Sequence, residues 1–425
     1  LAGGIQPPDG DHLEELGGDG AVSWEKVKLG EISFCIQPGP FGSQLHNSDY
    51  ADEGTPIIMP KDMVDGHIRH TGLIRVPEEH VARLQRHQVC AGNLMVARKG
   101  DVRKCVYITE NENGWLTGSD CLKVALNENV CFPKYIYYQL RSPYIGRWLE
   151  QISIGATMPS INTGLLSGIE MYLPSLEIQR RIADILSAYD DLIENNRKQI
   201  KLLEEAAQRL YKEWFVDLRF PGHEHTKIVD GVPEGWEKTT VSNISSILRR
   251  GISPKYNDQA ELMVINQKCI RQTVVTFDEA RRQEKLFPEE MNLQDSDTVI
   301  CSTGAGTLGR VGQIFGNYPQ TTFDSHVTLV RAKSGFGKQY LFHFLKCCQS
   351  YLMGMGKGST NQLELSRRTI QDLEILIPLE EIGQMFESLV QSIHDKISAV
   401  NAEIDRLQSA RDRLLPKLMS GEVEV

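Results

Sequence analysis

The sequence lacks the features of a membrane protein and of a disulfide-stabilised secreted protein. It has no run of 18 or more apolar residues and no apolar segment near its start, so we expect neither a membrane-spanning helix nor a secretion signal. Its nine cysteines include no Cys-x-x-Cys pair, and their odd number and scattered spacing argue against a disulfide framework and a zinc site. Free cysteines are typical of a reducing compartment. These absences predict a soluble protein of the cytoplasm.

The motifs of several enzyme classes are also missing. There is no Gly-x-x-x-x-Gly-Lys-Ser/Thr phosphate loop, no His-Glu-x-x-His motif and no Gly-x-Ser-x-Gly motif. No lysine follows an acidic residue by two positions, as a common nuclease motif requires, and the Asn-Pro-Pro-aromatic motif of amino-methyltransferases is absent. The eleven histidines show no metal-ligand spacing. We therefore expect a non-catalytic binding protein that holds no metal and no cofactor of its own.

One glycine pattern is open to two interpretations. Gly304, Gly306 and Gly309 form a G-x-G-x-x-G sequence after the predicted strand 298–301. A dinucleotide site needs a helix to begin at such glycines, whereas residues 310–315 have the pattern of a second strand. We interpret the pattern as a turn between two strands, which could approach a DNA phosphate. A dinucleotide-dependent enzyme is the less favoured alternative.

What the chain does contain is a long internal repeat. A Trp-Glu-Lys sequence begins at Trp24 and returns 212 residues later at Trp236, and the proline before a long helical pattern occurs at Pro174 and, 204 residues later, at Pro378. A repeat of this length is too long for a solenoid unit. It indicates two copies of one module, a domain followed by a helix. Two similar but non-identical binding modules on one chain imply a binding target with two similar but non-identical halves.

Each copy ends in a predicted long amphipathic helix. Apolar residues recur mostly at steps of four and three, which is the heptad pattern of a coiled coil. The expected seam residues are Ile182, Ile185, Tyr189, Leu192, Leu203 and Leu210 in the first helix and Phe386, Leu389, Ile393, Val400, Ile404 and Leu407 in the second. An antiparallel pair would bury both stripes. In the alternative arrangement, each helix packs on its own domain.

The fold class that follows is mixed α/β, with two pseudo-two-fold-related globular domains separated by an antiparallel coiled coil. Apolar runs at 56–59 and 94–97 predict strands, and 135–149 predicts one helix. The predicted segments are an acidic disordered N-terminal segment (1–22), a first domain (23–170), a first spacer helix (174–218), a linker (219–235), a second domain (236–374) and a second spacer helix (378–420).

Several short segments in combination resemble the specificity subunits of type I restriction–modification systems. They are Gly39-Pro40-Phe41-Gly42-Ser43, Leu210-Tyr211-Lys212-Glu213-Trp214-Phe215-Val216-Asp217, Pro233-Glu234-Gly235-Trp236, Val264-Ile265-Asn266-Gln267-Lys268 and Lys417-Leu418-Met419-Ser420-Gly421-Glu422. The resemblance covers residues 24–425, and the acidic segment before Trp24 departs from the family pattern. It implies that each α/β region is a target-recognition domain for one half of a bipartite, asymmetric double-stranded DNA sequence. The helices would fix the gap between the halves.

The resemblance also implies partner subunits. Two methyltransferase subunits would dock on this chain and modify adenine, and two restriction (translocase) subunits would join for cleavage. S-adenosylmethionine, ATP and magnesium would be bound by those partners. The net charge of −10 weighs against DNA binding by this chain alone, because phosphate neutralisation drives most such affinity. A stand-alone bivalent DNA-binding regulator and a coiled-coil scaffold are the alternatives.

The candidate DNA-contacting residues are polar or cationic side chains of predicted loops, which reach base edges and phosphates. They are Ser43, Lys61, Arg98, Lys99 and Arg103 in the first domain and Arg249, Arg250, Lys255, Tyr256, Gln267, Lys268, Thr303 and Arg310 in the second. Lys61 and Lys268 follow matching strand-like runs. The segments 153–157 and 357–362 also match, and they either touch DNA or join each domain to its helix.

Overall fold

The computed structural model describes residues 24–40, 44–154, 159–271, 273–304, 306–356 and 363–425. The chain divides into two compact units. Unit 1 extends to Glu194 and also contains Asp405–Val425, and unit 2 comprises Asn195–Ile404. Among the helices of the described residues, none is long and apolar enough to cross a membrane.

Unit 1 is built on a four-stranded antiparallel sheet. Its strands are β1 (Glu25–Lys28), β2 (Ser33–Pro38), β3 (Thr55–Ile58), β4 (Met63–Val64), β5 (His67–Ile68), β6 (Ile74–Val76), β7 (Leu94–Ala97), β8 (Cys105–Tyr107), β9 (Leu116–Thr117), β10 (Cys121–Leu126) and β11 (Glu170–Leu173). Its helices are α1 (Glu78–Val81), α2 (Pro133–Leu140), α3 (Pro143–Ile152), α4 (Thr163–Ser167) and the first part of α5 (Leu176–Tyr211). The main sheet has the order β2-β10-β7-β8, a second sheet has the order β6-β3-β9, and β1 pairs with β11.

Unit 2 repeats this plan. Its strands are β12 (Ile228–Val229), β13 (Val232–Pro233), β14 (Glu237–Thr240), β15 (Ser245–Arg250), β16 (Leu262–Ile265), β17 (Arg281–Gln283), β18 (Thr298–Cys301), β19 (Val311–Gln313), β20 (Thr321–Phe323), β21 (Val327–Ala332) and β22 (Glu374–Ile377). Its helices are α6 (Val241–Ile244), α7 (Lys338–Cys347), α8 (Gln349–Gly354), α9 (Arg367–Gln371) and the first part of α10 (Glu380–Ser420). A π-helical turn, Lys212–Val216, ends α5.

The internal repeat is confirmed in three sheets of each unit, whereas the pair β4-β5 of unit 1 and the pair β12-β13 of unit 2 have no counterpart among the described residues. The order β15-β21-β18-β19 corresponds to β2-β10-β7-β8, and β17-β16-β20 corresponds to β6-β3-β9. The central strand of each smaller sheet has one antiparallel and one parallel neighbour. The first and last strands of each copy also pair in the same register, Glu25 with Leu173 and Glu237 with Ile377. The predicted strands at 56–59 and 94–97 correspond to β3 and β7.

The predicted helix 135–149 is wrong, because two helices occupy this region. Helix α2 ends at Leu140 and α3 begins at Pro143. Proline has no backbone N–H to donate and disfavours helical geometry in the residue before it. Ser142 instead caps the new helix and accepts a hydrogen bond from the backbone N–H of Ile145 at 3.4 Å. The apolar spacing runs through the break, so periodicity alone predicted one helix.

The glycine pattern at Gly304 lies between two strands, as we interpreted it. Strand β18 is followed by β19, which pairs with it antiparallel, Val299 opposite Gly312. No helix begins at these glycines among the residues that the structure describes. A pyrophosphate site of the dinucleotide-binding type needs the N-terminus of a helix there, so the geometry does not support the dinucleotide alternative.

Parts of the two long helices contact each other within each unit. In unit 1, Asp190 of α5 accepts a hydrogen bond from Arg411 of α10 at 2.5 Å. In unit 2, the rings of Trp214 and Phe386 lie 6.0 Å apart. The predicted fold class, α/β domains with two long paired helices, is confirmed.

The predicted seam needs a correction at one residue of each helix. Leu192 is 50% exposed and Leu389 is 47% exposed, whereas their neighbours Ile193 and Val390 are 2% and 1% exposed. The cause in α5 is a polar seam residue, Asp190, which is 5% exposed. A pattern search that counts only apolar residues skips this aspartate. It therefore assigns the buried stripe to apolar residues beside the true seam. Of the other predicted seam residues, four are buried, namely Ile182, Phe386, Val400 and Ile404, and six are partly buried, namely Ile185, Tyr189, Leu203, Leu210, Ile393 and Leu407.

A buried polar network surrounds Asp190 in unit 1, and the matching place in unit 2 is a cavity. Asp190 also accepts a hydrogen bond from the Tyr138 hydroxyl at 2.8 Å. At the 204-residue offset, His394 corresponds to Asp190 and Ala207 corresponds to Arg411. Ala207 and His394 line a cavity of about 220 Å³, together with Glu204, Gln208, His343 and Lys346. Unit 2 therefore lacks both the carboxylate and the guanidinium that fill this place in unit 1.

We expect unit 2 to lose stability when the pH falls below about 6.5. Burial lowers the pKa of His343 to about 3, with a further contribution from the charge of Lys346. In the unfolded chain, the His343 side chain becomes protonated near pH 6.5, whereas in the folded chain it stays neutral until the pH approaches 3. The stabilisation by neutral His343 is therefore complete above about pH 6.5 and is lost as the pH falls towards 3. Calorimetric unfolding from about pH 7.5 to about pH 5 measures this loss.

A tyrosine in place of His343 is the matched control for this pH dependence. The His343→Tyr variant carries the residue found at the corresponding position of unit 1, Tyr138, and the adjacent cavity offers room for the larger ring. It should flatten the decline in stability over this pH range. An equally steep decline in the variant would assign the pH dependence to other groups.

Candidate nucleic-acid interface

In unit 1, the loops that follow three strands meet at one end of the main sheet. The backbone N–H of Gly39, which follows β2, donates to the carbonyl oxygen of Cys121 at 3.0 Å. The Gly118 N–H donates to Ile58 at the end of β3, at 2.9 Å. The Arg98 N–H, after β7, donates to Asp120 at 2.7 Å. We call these loops the strand-end surface of unit 1, which comprises residues 39–40, 59–62, 98–104 and 118–120.

Unit 2 has a corresponding surface. The Gly251 N–H donates to Val327 at 3.1 Å, the Asp324 N–H donates to Ile265 at 2.9 Å, and the Ser302 N–H donates to His326 at 2.8 Å. These bonds join the ends of β15, β16 and β18 to the start of β21. The strand-end surface of unit 2 comprises residues 251–257, 266–269, 302–304, 306–310 and 324–326.

A glycine makes a close backbone approach at each surface. A Cβ atom on Gly39 would lie 1.9 Å from the carbonyl oxygen of Gly118, and a Cβ atom on Gly251 would lie 2.0 Å from that of Phe323. Any side chain would push these segments apart, because the obstructing atoms belong to the backbone. The two glycines are 212 residues apart, the offset of the repeat, so the convergence of loops depends on the same residue in both copies.

Lys61 and Lys268 occupy equivalent places in the two surfaces. Each is the middle residue of a short 3₁₀ helix directly after a strand, Pro60–Asp62 after β3 and Gln267–Cys269 after β16. Both side chains are exposed, and neither forms an ion pair with a described residue. Two exposed cations on rigid turns are suited to phosphate contacts.

The two surfaces differ in side-chain chemistry at a matched pair of positions. In unit 1, the Lys99 ammonium lies 3.1 Å from the Asp120 carboxylate. In unit 2, the corresponding pair is Thr303 and His326, whose Oγ1 and Nδ1 atoms lie 2.6 Å apart. The same backbone positions therefore carry an ion pair in one copy of the repeat and a hydroxyl–imidazole pair in the other.

Several of the other predicted residues are held by carboxylates or backbone carbonyls. Arg249 lies 3.2 Å from Glu290, and Lys255 forms an ion pair with Glu284. Arg250 lies 2.5 Å from Glu364 and donates to the backbone as well, so its guanidinium is largely occupied in holding the fold together.

The remaining predicted residues have more varied surroundings. Arg103 pairs with Asp101 and Glu150, and Arg310 donates to the Gly306 carbonyl at 2.7 Å. Arg98 and Gln267 are half-buried. Ser43 and the matching segments 155–157 and 357–362 lie outside the described residues.

One exposed arginine of unit 2 was not among the residues predicted from the sequence. The guanidinium carbon of Arg281, the first residue of β17, lies 3.6 Å from the ring centroid of Tyr256. Tyr256 is 43% exposed, and Arg281 is exposed as well. The adjacent pair Arg281-Arg282 was the available signal, since it is a local cluster of positive charge.

Comparison with known protein families bears on what these surfaces do. Residues 21–205 and 233–408 match the family described as the type I restriction modification DNA specificity domain, so each copy of the repeat is one such domain. The chain belongs to this family of DNA specificity subunits.

Two relatives of this DNA specificity subunit are similar over nearly their whole length. The MjaIX specificity subunit of Methanocaldococcus jannaschii is 26% identical over 417 residues, which cover 95% of this chain and 94% of the relative. The HindI specificity subunit of Haemophilus influenzae is 24% identical, with 94% and 99% covered. The crystal structure of the type I S subunit from M. genitalium has a TM-score of 0.53 at 16% identity, with 94% and 97% covered, and supports the same fold.

For this specificity subunit, we expect Lys268→Ala and Lys61→Ala each to weaken DNA binding by the assembled complex. If each ammonium neutralises one phosphate, each variant should lower the slope of log affinity against log salt concentration by about 0.9. Titration of a DNA duplex at several salt concentrations measures both the affinity and the slope. Lys227→Ala removes an exposed lysine of the linker and is the matched control. Equal slopes for Lys268→Ala and the control would exclude a phosphate contact.

Proposed function

We propose that each strand-end surface of this chain reads one half of a bipartite, asymmetric DNA target. The observation that carries this proposal is the repeat of one sheet topology and one loop arrangement with different side chains, Lys99 with Asp120 in unit 1 and Thr303 with His326 in unit 2. Base pairs are distinguished by the hydrogen-bond donors and acceptors at their edges. Two surfaces that share one backbone arrangement but carry different polar groups are therefore suited to two different short DNA sequences.

The helices would act as the spacer between the two reading surfaces. Helix α5 has 36 residues and α10 has 41 residues, so each is on the order of 55 Å long or more at about 1.5 Å per residue. Half-site spacing in a two-headed DNA reader follows from the separation of its heads. A paired helix is stiff enough to hold one separation, whereas a flexible linker would accept many.

Catalysis would belong to partner subunits. We expect two methyltransferase subunits, with S-adenosylmethionine, to dock on this chain and modify adenine, and two restriction subunits, with ATP and magnesium, to join for cleavage. The missing catalytic motifs of this sequence support this division. A methyltransferase must also flip its base out of the duplex, which requires firm clamping of the DNA. The acidic chain has many of its own arginines and lysines paired with carboxylates, so the partners would supply much of the phosphate contact. The complex would act in the cytoplasm, where its DNA is.

Sequencing of modified bases in genomic DNA tests the proposal. Cells that express this chain with its methyltransferase partner are compared with cells that lack only this chain. We expect a methylated-adenine motif in two parts with a fixed gap, which disappears without the chain. If an active partner methylates the same positions whether or not this chain is present, the chain does not determine the target.

A further inference from the structure

Arg281 and Tyr256 form an exposed stacked pair in unit 2. Strand β17 starts at Arg281 and pairs with β16, the strand that ends next to Lys268. The loop after β15 runs along the other side of β17, where Tyr256 pairs with Gln283 through a backbone bridge. This places the phenol ring beneath the guanidinium, with 3.6 Å between the guanidinium carbon and the ring centroid. Attraction between the cation and the ring face holds the plane of the guanidinium in place.

The stacked arginine differs from its neighbours because no carboxylate or backbone carbonyl of a described residue accepts a hydrogen bond from its guanidinium. Lys255 pairs with Glu284, and Arg271 pairs with Glu279 at 3.1 Å. Arg282 donates to the backbone carbonyl of Ala260 at 2.7 Å. Within the described part of the chain, no carboxylate lies within ion-pair distance of Arg281. Arg281 is exposed and packs on the ring, so its N–H groups are accessible to a ligand.

A guanidinium fixed in this way is suited to one base. Two parallel N–H donors match the O6 and N7 acceptors of guanine in the major groove, and this is the commonest specific contact between arginine and DNA. A side chain that is already oriented loses less conformational entropy on binding. We propose that Arg281, positioned by Tyr256, reads a guanine in the half-site of unit 2.

The surroundings of the pair support this role, which rests on the proposed function. The side-chain amide of Asn266 donates to the carbonyl oxygen of Glu279 at 2.9 Å and so ties the start of β17 to the turn that carries Lys268. A lysine on a phosphate sets the register in which a neighbouring side chain meets a base. At the 207-residue offset that relates Lys61 to Lys268, the counterpart of Arg281 is Ile74, so unit 1 cannot make the same contact.

Sequencing of modified bases from cells with Arg281→Ala or Arg281→Lys tests the assignment. Both variants should relax one guanine position of one half-site, with a loss of discrimination of about ten- to a hundredfold, while the other half-site and the gap stay the same. The lysine variant keeps the charge but loses the planar pair of donors. Tyr256→Phe keeps the ring and should keep the guanine, whereas Tyr256→Ser should weaken it.

Arg282→Ala is the matched control, because it removes a cation from the adjacent position. If the assignment to Arg281 is correct, Arg282→Ala leaves the base preference unchanged, and any loss of affinity is the same for all sequences. An unrelaxed motif in Arg281→Ala would overturn the inference and leave the proposed function intact. A wild-type chain on which no methylation motif depends would instead contradict the proposed function itself.

A second measurement needs no altered protein. Each guanine of the target duplex is replaced in turn by 7-deazaguanine, which lacks the N7 acceptor, and binding to the assembled wild-type complex is measured. One replacement should weaken binding about tenfold or more, and the same replacement should have no effect on the Arg281→Ala complex. If every replacement that weakens wild-type binding weakens the variant equally, Arg281 does not read a guanine.

Discussion

Arg411→Ala is expected to destabilise unit 1 by about 3 kcal/mol, the lower end of the range for breaking a buried ion pair. The side chains of Asp190 and Arg411 are 7% and 14% exposed, and their bond is 2.5 Å long. Without Arg411, the buried carboxylate retains the Tyr138 hydroxyl at 2.8 Å and the Arg141 guanidinium at 3.7 Å. These two partners compensate for part of the lost interaction, which is why we expect the lower end of the range.

Urea unfolding measures this loss, and a nearby arginine provides the control. Arg413 lies two residues further along α10 and is exposed, so Arg413→Ala should change the free energy of unfolding by less than about 0.5 kcal/mol. Arg411→Lys keeps the charge and should lose less than Arg411→Ala. Equal stabilities of the alanine variants at 411 and 413 would mean that the buried network contributes nothing to the fold.

Inserting seven residues into each long helix is expected to widen the gap in the methylated motif while both half-sites stay unchanged. The insertions belong between the Asp190–Arg411 contact and the Trp214–Phe386 contact, so that the residues on either side keep their partners. Seven residues add about 10 Å and rotate a helix by only about 20° relative to a whole number of turns. At about 3.4 Å per base pair, the gap should grow by about three base pairs.

The same insertion should also slow methylation. Three base pairs rotate the DNA by roughly 100°, since a turn takes about 10 base pairs, so the second surface would meet its half-site at a less favourable angle. We therefore expect slower methylation along with the wider gap. An insertion into one helix alone breaks the pairing of the helices and is the control. A motif whose gap stays the same after the double insertion would refute the spacer role.

Parts of the candidate site could be predicted from the sequence because the repeat marks equivalent positions. Lys61 and Lys268 were chosen for their places after matching strands, and the structure places both on equivalent 3₁₀ turns. Their contact with DNA stays a prediction. Arg281 was missed because its significance depends on Tyr256, 25 residues away, and on the absence of a nearby carboxylate. Arg250 was chosen as a candidate DNA-contacting residue, but its bonds to Glu364 and to the backbone could not be seen in the sequence.

The seam of the long helices shows the same limit. Heptad spacing revealed two paired helices, since the apolar stripe of each must be buried. It could not reveal that Asp190 lies in the seam, because a carboxylate enters the interior only where partners such as Tyr138 and Arg411 satisfy it, and these partners are distant in sequence.

The sequence by itself determined the duplication, the α/β class, the two long helices and the absence of known catalytic motifs. These properties follow from the periodicity of apolar residues, from local turn residues and from the order of segments along the chain. Only the tertiary structure decided which cations are occupied by carboxylates, which face of each helix is buried and which arginine is exposed and stacked on a ring. Those properties depend on distances between residues that are far apart in the chain, and no local pattern encodes such distances.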